Sequence, residues 1–424
     1  MFQVPRGTRD FIPEEMQKRR YLEQTMTATF TSFGYGEIQT PTFETLELFT
    51  AKSGDTIINE LYAFTDKGGR ELALRPELTA PVIRCYVERL QMEPKPLKLF
   101  YLGNCYRYDR PQKGRYREFQ QAGCEIIGAD SPEATAELLA LAYRLLKNVG
   151  LKNISLNIGN LTLVSALLKK LKISQDDQKT LLPLIDKSLF DDLQQALRDC
   201  GVSDHDAQQF IRILQMSELH EIRTFLKGDP AAQQELTAME TILGFLTNGF
   251  HVTEYQIKLG IVRGLDYYKG LVFEIDAPVL GAEKQLCGGG AYDLVKLFGG
   301  TDVPTAGFAV GFDRTLLALE TEGFSFPPPA LDVFIIPVNP EMITTVVDLA
   351  SQLRAQGVTV DFDQLRRGMG KSLKFADTKH ASYVVIVGPK ELEKQSVTLR
   401  DMKTGNQDII PLAELPARLQ KHHS

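Results

Sequence analysis

The twenty residues from Tyr106 to Glu125, YRYDRPQKGRYREFQQAGCE, restrict the fold more than any other part of this chain. Their spacing predicts two strands joined by a basic loop. The first strand ends in Tyr106-Arg107-Tyr108-Asp109, and the return strand runs Glu118 to Glu125. Between them, Arg110-Pro111-Gln112-Lys113-Gly114-Arg115 contains a Pro and a Gly as breakers. Strand side chains alternate between faces, so Phe119, Gln121, Gly123 and Glu125 share one face. An aromatic, an amide, a gap and a carboxylate form a floor for a small polar ligand, and hairpin arginines suit phosphate. A charged surface hairpin with solvated arginines would have the same composition.

Two further segments stand out from their surroundings. Arg263-Gly264-Leu265-Asp266-Tyr267-Tyr268-Lys269-Gly270 lies between two largely apolar runs, Ile257 to Val262 and Leu271 to Ile275. So many polar and aromatic groups exceed what a plain connection between strands needs. Gly307 to Leu317 reads as a glycine-flanked strand running into a helix, with Asp313 and Arg314 at the turn. Glycine lets a backbone or ligand approach closely, and a helix N-terminus favours an anion. A surface arginine at a helix start would also fit that pattern.

A chain of 424 residues exceeds one compact core, so two or three domains are expected. Pro327-Pro328-Pro329 reads as an extended spacer between a region over 1–325 and another over 331–424. Beyond it, Asp332 to Val338, Val358 to Phe362 and Tyr383 to Val387 are strand-like, and Met342 to Gln356 has helical spacing. That alternation predicts an α/β layer. Residues 160–250 carry helical patterning at Leu161–Leu171 and Asp191–Leu197 and read as a helical insertion.

With 43% hydrophobic and 24% charged residues, the chain is an ordinary globular protein. It carries no apolar run of membrane-spanning length, so no membrane partner is expected, and its N-terminus lacks signal or transit character. The cytoplasm is the expected compartment. Five scattered cysteines suggest neither a zinc site nor a disulfide framework, and no metal-binding set is read. They are expected to be reduced, partly buried packing residues. The formal charge of −6 gives no sign of nucleic acid, and 331–424 has 12 Lys+Arg against 11 Asp+Glu. Any basic footprint must be local, as at Arg110, Lys113, Arg115 and Arg117, or at Arg366, Arg367, Lys371 and Lys374.

In this order, the segments resemble one family, the histidyl-tRNA synthetases among the class II aminoacyl-tRNA synthetases. The likeness begins at Pro5-Arg6-Gly7-Thr8-Arg9-Asp10-Phe11 and continues through Leu74-Arg75-Pro76-Glu77-Leu78-Thr79-Ala80-Pro81 and the hairpin. It ends with Arg263 to Lys269, the histidine-specific signature, and Gly307 to Leu317. The resemblance implies an α+β fold. A class II antiparallel-sheet catalytic domain with a helical insertion is followed by an α/β anticodon-binding domain. It also implies two steps: histidine attacks the α-phosphorus of ATP, giving histidyl-adenylate and pyrophosphate, and the histidyl group then passes to the 3′ end of tRNA(His).

The resemblance assigns roles residue by residue. Arg107, Arg115 and Arg314 serve ATP, with Phe119 stacked on the adenine; Arg107 holds the α-phosphate, and Arg314 the γ-phosphate while flanking the adenine. Magnesium arrives mainly on the ATP phosphates. Arg263 contacts the α-phosphate and the substrate carboxylate; an ion pair with Asp266 is its plain alternative. Glu125 and Tyr268 read the imidazole, Glu77 and Thr79 the α-ammonium, Gln121 the polar head, and Tyr267 joins them or packs. Thr79 also reads as an N-cap for the following helix, and both roles can hold together. Gln112 matches a residue associated with the extra 5′ guanylate of tRNA(His). Asp109 and Asp313 stand where Glu is frequent, and Tyr108 and Leu78 also differ from the usual bacterial choices. Phe33 to Pro41 resembles the first class II motif, which implies a homodimer. The rival reading is the histidine-binding regulatory subunit of ATP phosphoribosyltransferase. Such paralogues lack the anticodon-binding domain and tend to lose arginines that this chain retains.

Overall fold

The computed structural model describes residues 2–53, 55–111, 114–262, 268–328 and 331–420. The chain divides into compact units over 1–325 and 326–424, and each is described by itself.

The larger unit is organised by one eight-stranded sheet. Its strands are β1 (Gly36–Glu37), β5 (Leu97–Tyr106), β6 (Glu118–Ile127), β7 (Ser155–Asn160), β8 (Tyr255–Ile257), β9 (Tyr268–Asp276), β10 (Gln285–Tyr292) and β11 (Thr305–Gly311). A small satellite sheet holds β2 (Phe43–Thr45), β3 (Ala63–Thr65) and β4 (Glu71–Leu74). In space the large sheet runs β1-β5-β6-β11-β10-β9-β7-β8. Its inner pairs are antiparallel, while the edge pairs β1/β5 and β7/β8 are parallel.

One face of the sheet packs on helices. Helix Pro13–Ser32 has Pro at its first turn and buries Arg19, Leu22, Met26, Thr29 and Phe30, a stripe at helical spacing. Phe30 stacks on Phe100 of β5 at 5.0 Å and on Phe308 of β11 at 6.1 Å between ring centroids. Helix Pro132–Asn148, capped by the Ser131 hydroxyl, packs beside it. The opposite face, which carries Phe119, Gln121 and Glu125 of β6, is partly covered by helix Thr79–Cys85, whose Val82 and Ile83 pack with Leu99, Tyr101 and Ile127.

The hairpin is there, with β5 and β6 in register from Leu97↔Ile127 to Tyr106↔Glu118. The first strand stops at Tyr106, so Arg107, Tyr108 and Asp109 lie beyond it. One more bond crosses the hairpin, from the Arg107 N–H to the Arg117 carbonyl at 2.9 Å, before the Tyr108 N–H turns to the Glu60 carbonyl, on a different segment, at 2.8 Å. The expected strand over Ile257–Val262 is likewise short and ends at Ile257.

Six helices fill the region after β7: Leu161–Lys170, Gln175–Asp186, Phe190–Asp199, Asp204–Leu214, Leu219–Phe225 and Pro230–Gly244. Four of their starts are capped by the side chains of Asn160, Ser174, Ser203 and Asp229. The region is less separate than an insertion implies. Its first helix packs on β9, and its last packs on helix Pro132–Asn148.

The smaller unit has a five-stranded sheet of β12 (Leu331–Pro337), β13 (Val360–Phe362), β14 (Ala381–Val387), β15 (Ser396–Asp401) and β16 (Gln407–Pro411). Its order is β13-β12-β14-β15-β16, parallel across the first three and antiparallel after them. Alternation along β12 sends Val333 and Ile335 to one core and Phe334 and Ile336 to another. The sheet therefore carries apolar cores on both faces. Of the basic set proposed there, Arg367 is half-buried and paired with buried Asp363, whereas Arg366, Lys371 and Lys374 are exposed.

Candidate active site

Two cavities adjoin on this second face of the large sheet. The outer one, about 320 Å³, is lined by Arg107, Arg115, Phe119 and Arg314 among others. The inner one, about 300 Å³, is lined by Glu77, Thr79, Gln121, Glu125 and Tyr268. Arg107, Gln121 and Ala309 border both. The residues assigned to the nucleotide and those assigned to the amino acid thus separate into neighbouring spaces, with an arginine where they meet. Arg263 and Tyr267, and the loop residue Gln112, lie outside the described residues.

Arg107 donates from Nε to the Pro76 carbonyl at 2.9 Å, and its guanidinium carbon lies 5.2 Å from the Phe119 ring centroid. The contact aims a planar cation along the wall between the cavities. Arg314 enters from the first turn of helix Phe312–Thr321. It donates to the carbonyls of Gly114 at 3.3 Å and Gln285 at 3.1 Å, and to the Glu283 carboxylate at 2.6 Å. An anion approaching Arg314 therefore competes with Glu283. Arg115 is half-exposed, with Nε 4.0 Å from the Asp109 carboxylate.

The inner cavity is built around Glu125, which is 1% exposed. Its two carboxyl oxygens accept from the hydroxyls of Tyr101 at 3.0 Å and Tyr292 at 2.5 Å. The N–H of a bound imidazole needs the ionised form, in which each carboxylate oxygen keeps a second lone pair for a donor from the cavity. Glycines make room for this arrangement. A Cβ on Gly307, opposite Glu125 in the ladder, would lie 1.8 Å from Glu125 Oε2. A Cβ on Gly123 would lie 2.6 Å from the Tyr101 hydroxyl, so the gap on the hairpin face is filled by Tyr101.

Burial pushes the Glu125 carboxyl up to about 8, against the opposing hydrogen bonds from Tyr292, Thr79 and Tyr101. Burial also holds both tyrosine hydroxyls well above their ordinary range, so they stay donors. The ordinary Glu value is 4.5. Between about 4.5 and about 8 the folded chain keeps a proton on Glu125 that the unfolded chain has lost, so this group's contribution to stability falls as pH rises. Glu125→Gln cannot ionise. Its melting temperature relative to the parent is expected to rise from about pH 5 to about pH 9. Calorimetry reads that difference, and a flat difference would mean that Glu125 titrates like an exposed carboxyl.

Thr79 does not cap its helix. The cap residue of Thr79–Cys85 is Leu78, and the Glu77 carboxylate accepts from the N–H groups of Thr79 at 2.7 Å and Ala80 at 3.1 Å. Glu77, two residues before Thr79, thus takes the free N–H groups of the first turn. The Thr79 hydroxyl instead lies 3.4 Å from that of Tyr101. Gln121 Oε1 accepts from the Cys105 thiol at 3.3 Å, and burial raises that thiol to about 12, leaving it protonated. Cys105, Cys124 and Cys287 are buried, but Cys200 is exposed; all five are free.

Sequence reading missed Tyr101 and Tyr292. Tyr101 could have been found by laying the first hairpin strand against the second, because it pairs with Gly123. Tyr292 ends the run Gly288-Gly289-Gly290-Ala291-Tyr292, where glycines inside a strand signal a close approach.

An antiparallel sheet with an arginine-bearing hairpin, closed by a glycine strand that runs into an arginine-bearing helix, defines the catalytic unit of a class II aminoacyl-tRNA synthetase. The histidyl-tRNA synthetase family matches over residues 7–315, and an anticodon binding domain matches over residues 332–422. Histidine–tRNA ligases of Methanosarcina acetivorans and Methanocaldococcus jannaschii are 44% and 43% identical, covering 97% and 98% of this chain and 97% and 99% of their own. The apo histidyl-tRNA synthetase of S. aureus superposes with a TM-score of 0.73 at 30% identity, over 99% of this chain and 100% of its own. A Bacillus halodurans structure described as an ATP phosphoribosyltransferase regulatory subunit/histidyl-tRNA synthetase gives 0.77 at 26% identity, over 91% and 98%. The chain belongs to the histidyl-tRNA synthetase family.

Proposed function

We propose that this chain activates histidine with ATP and transfers it to tRNA(His), with histidine in the inner cavity and ATP in the outer one. The observation that carries the reading is the buried Glu125, held by two tyrosine hydroxyls at the bottom of the inner cavity. A neutral imidazole offers one N–H donor and one acceptor. Glu125 receives the N–H, and Tyr268, which lines the same cavity, meets the other nitrogen. A buried polar pair of this type rejects amino acids that leave it unpaired.

Catalysis follows from positioning and charge. Histidine enters with its carboxylate toward the junction of the cavities, where Arg107 faces the α-phosphate. Phe119 and Arg314 sandwich the adenine, and Arg314 also meets the γ-phosphate in competition with Glu283. Arg115 adds charge at the hairpin, and Glu77 and Thr79 receive the α-ammonium. Adenylate forms when a histidine carboxylate oxygen attacks the α-phosphorus and pyrophosphate departs. Little covalent help is needed from the protein, because alignment and neutralisation of phosphate charge lower the barrier. Magnesium belongs to this scheme as part of the ATP substrate. Among the described residues no three potential ligands stand together, and the Asp313 carboxylate is committed to arginines.

The second unit holds the tRNA, in line with its match to an anticodon binding domain. That unit also disfavours the regulatory-subunit reading, since it spans residues 332–422. Charging of tRNA(His) transcript with labelled histidine tests the choice. Turnover is expected, and histidine binding without transfer in the folded protein would favour the regulatory reading.

We also infer a homodimer working in the cytoplasm. Support for the dimer comes from the Phe33–Pro41 segment, whose β1 borders β5, and from the exposed pair Phe43 and Phe64 on the satellite sheet. Two-fold assemblies are the commonest oligomers. Light scattering at micromolar concentration is expected to give twice the chain mass. A fully active monomer would remove the dimer from this account.

A further inference from the structure

Behind the outer cavity lies a buried charge cluster that the mechanism above does not use. Asp313, the second residue of helix Phe312–Thr321, is 7% exposed. Its Oδ1 accepts from Arg9 Nη2 at 2.6 Å and Arg19 Nη1 at 2.7 Å, and its Oδ2 accepts from the Gln120 N–H at 2.8 Å. The last bond has a structural cause. The β6/β11 ladder ends at Gly311↔Gln121, so the next N–H on β6 would lose its partner where β11 turns into a helix. The Asp313 carboxylate supplies that partner.

Arg19 reaches the cluster from helix Pro13–Ser32 and also donates to the Gln120 side chain at 2.7 Å. Arg9 comes from the N-terminal arm, and its guanidinium carbon lies 3.3 Å from the centroid of the Tyr116 ring. The arm is fixed against the hairpin, because the Gly7 carbonyl accepts the Arg117 N–H at 2.9 Å. Tyr116, Gln120 and Asp313 all line the outer cavity, and Arg314 follows Asp313 directly. Two guanidiniums on one carboxylate also leave one net positive charge beside that cavity.

We propose that Arg9, with Arg19 and Asp313, is a positioning residue for ATP, clamping the Tyr116 wall of the outer cavity to the helix start that presents Arg314. The proposal rests on reading the outer cavity as the ATP site. Arg9 acts through Tyr116: its planar cation lies on the ring while its Nη2 is tied to Asp313, so ring and helix keep one spacing. Arg19 holds the same carboxylate from the helix behind. Loss of Arg9 frees the wall and removes charge near the phosphates, and the inner cavity is untouched.

The test is pyrophosphate exchange by Arg9→Ala, Arg9→Lys, Tyr116→Leu and the Arg9→Ala/Tyr116→Leu double variant, with KM measured separately for ATP and histidine. Arg9→Ala is expected to raise the ATP KM about tenfold, the size of a desolvated cation–aromatic contact, while the histidine KM stays within about twofold. Lysine should restore it only partly, since a point charge cannot stack as the planar fork does. The double variant should match the worse single one, because both substitutions remove the same clamp. Equal rises in both KM values, an unchanged ATP KM, full rescue by lysine or multiplying effects would each overturn the proposal. If Arg9→Ala fails to fold, the split between the two KM values in Arg9→Lys and Tyr116→Leu decides the matter. Arg314→Ala separates this proposal from its premise. If Arg314→Ala raises the ATP KM and Arg9→Ala does not, the clamp alone fails; if neither does, the ATP assignment of the cavity fails and the clamp with it.

Discussion

Glu125→Gln is expected to lower histidine activation by roughly 10²-fold or more while ATP binding survives. The substitution keeps size but can present an amide donor where the imidazole N–H needs an acceptor. Its surroundings cannot adapt. The Tyr101 and Tyr292 hydroxyls that donate to Glu125 belong to fully buried tyrosines, and the Gly307 backbone closes the space behind it. An amide nitrogen at either position would face a hydroxyl that now donates, so one of the two tyrosine bonds must reverse or break. The loss should therefore fall on histidine rather than on ATP, whose cavity is lined by other residues apart from the shared border. Exchange kinetics with each substrate varied in turn read the difference. Near-normal activation would remove Glu125 from histidine recognition.

Arg263→Ala is expected to slow adenylate formation by about 10²–10³-fold, the usual cost of removing one electrostatic stabiliser of a transition state. This expectation rests on the match of Arg263 to Lys269 with the family's histidine-specific signature, since Arg263 lies outside the described residues. Phosphate charge shifts toward the transition state, so the loss should appear in kcat more than in substrate binding. Arg263→Lys should recover little, because an ammonium cannot span phosphate and carboxylate together. Single-turnover adenylate formation at saturating ATP and histidine separates the possibilities. Parent rates in both variants, with only the apparent affinities changed, would make Arg263 a binding residue and overturn its place in the mechanism.

Local patterns made the hairpin legible in the sequence. Period-two alternation puts Phe119, Gln121 and Glu125 on one face, and those side chains do line the two cavities. The glycine strand running into a helix was equally plain, because Gly307–Gly311 and Phe312 mark the change of period. Long-range pairing was the hidden part. Tyr101 and Tyr292 meet Glu125 only because β5 lies on one side of β6 and, across β11, β10 lies on the other. No local pattern states that order. The Thr79 cap failed because the helix begins one residue too early for it: Leu78 is the cap residue, Pro81 has no N–H to offer, and the Val82 N–H goes to the Leu78 carbonyl. Nothing local joins Arg9 and Arg19 to Asp313, some 300 residues away; tertiary structure does.

The most direct measurement is ATP–pyrophosphate exchange with each of the twenty proteinogenic amino acids, using the whole chain. Exchange is expected with histidine alone, other amino acids falling by about 10⁴-fold or more because they leave Glu125 or Tyr268 unpaired. Comparable exchange with another amino acid, or none with histidine in folded protein, would contradict the account.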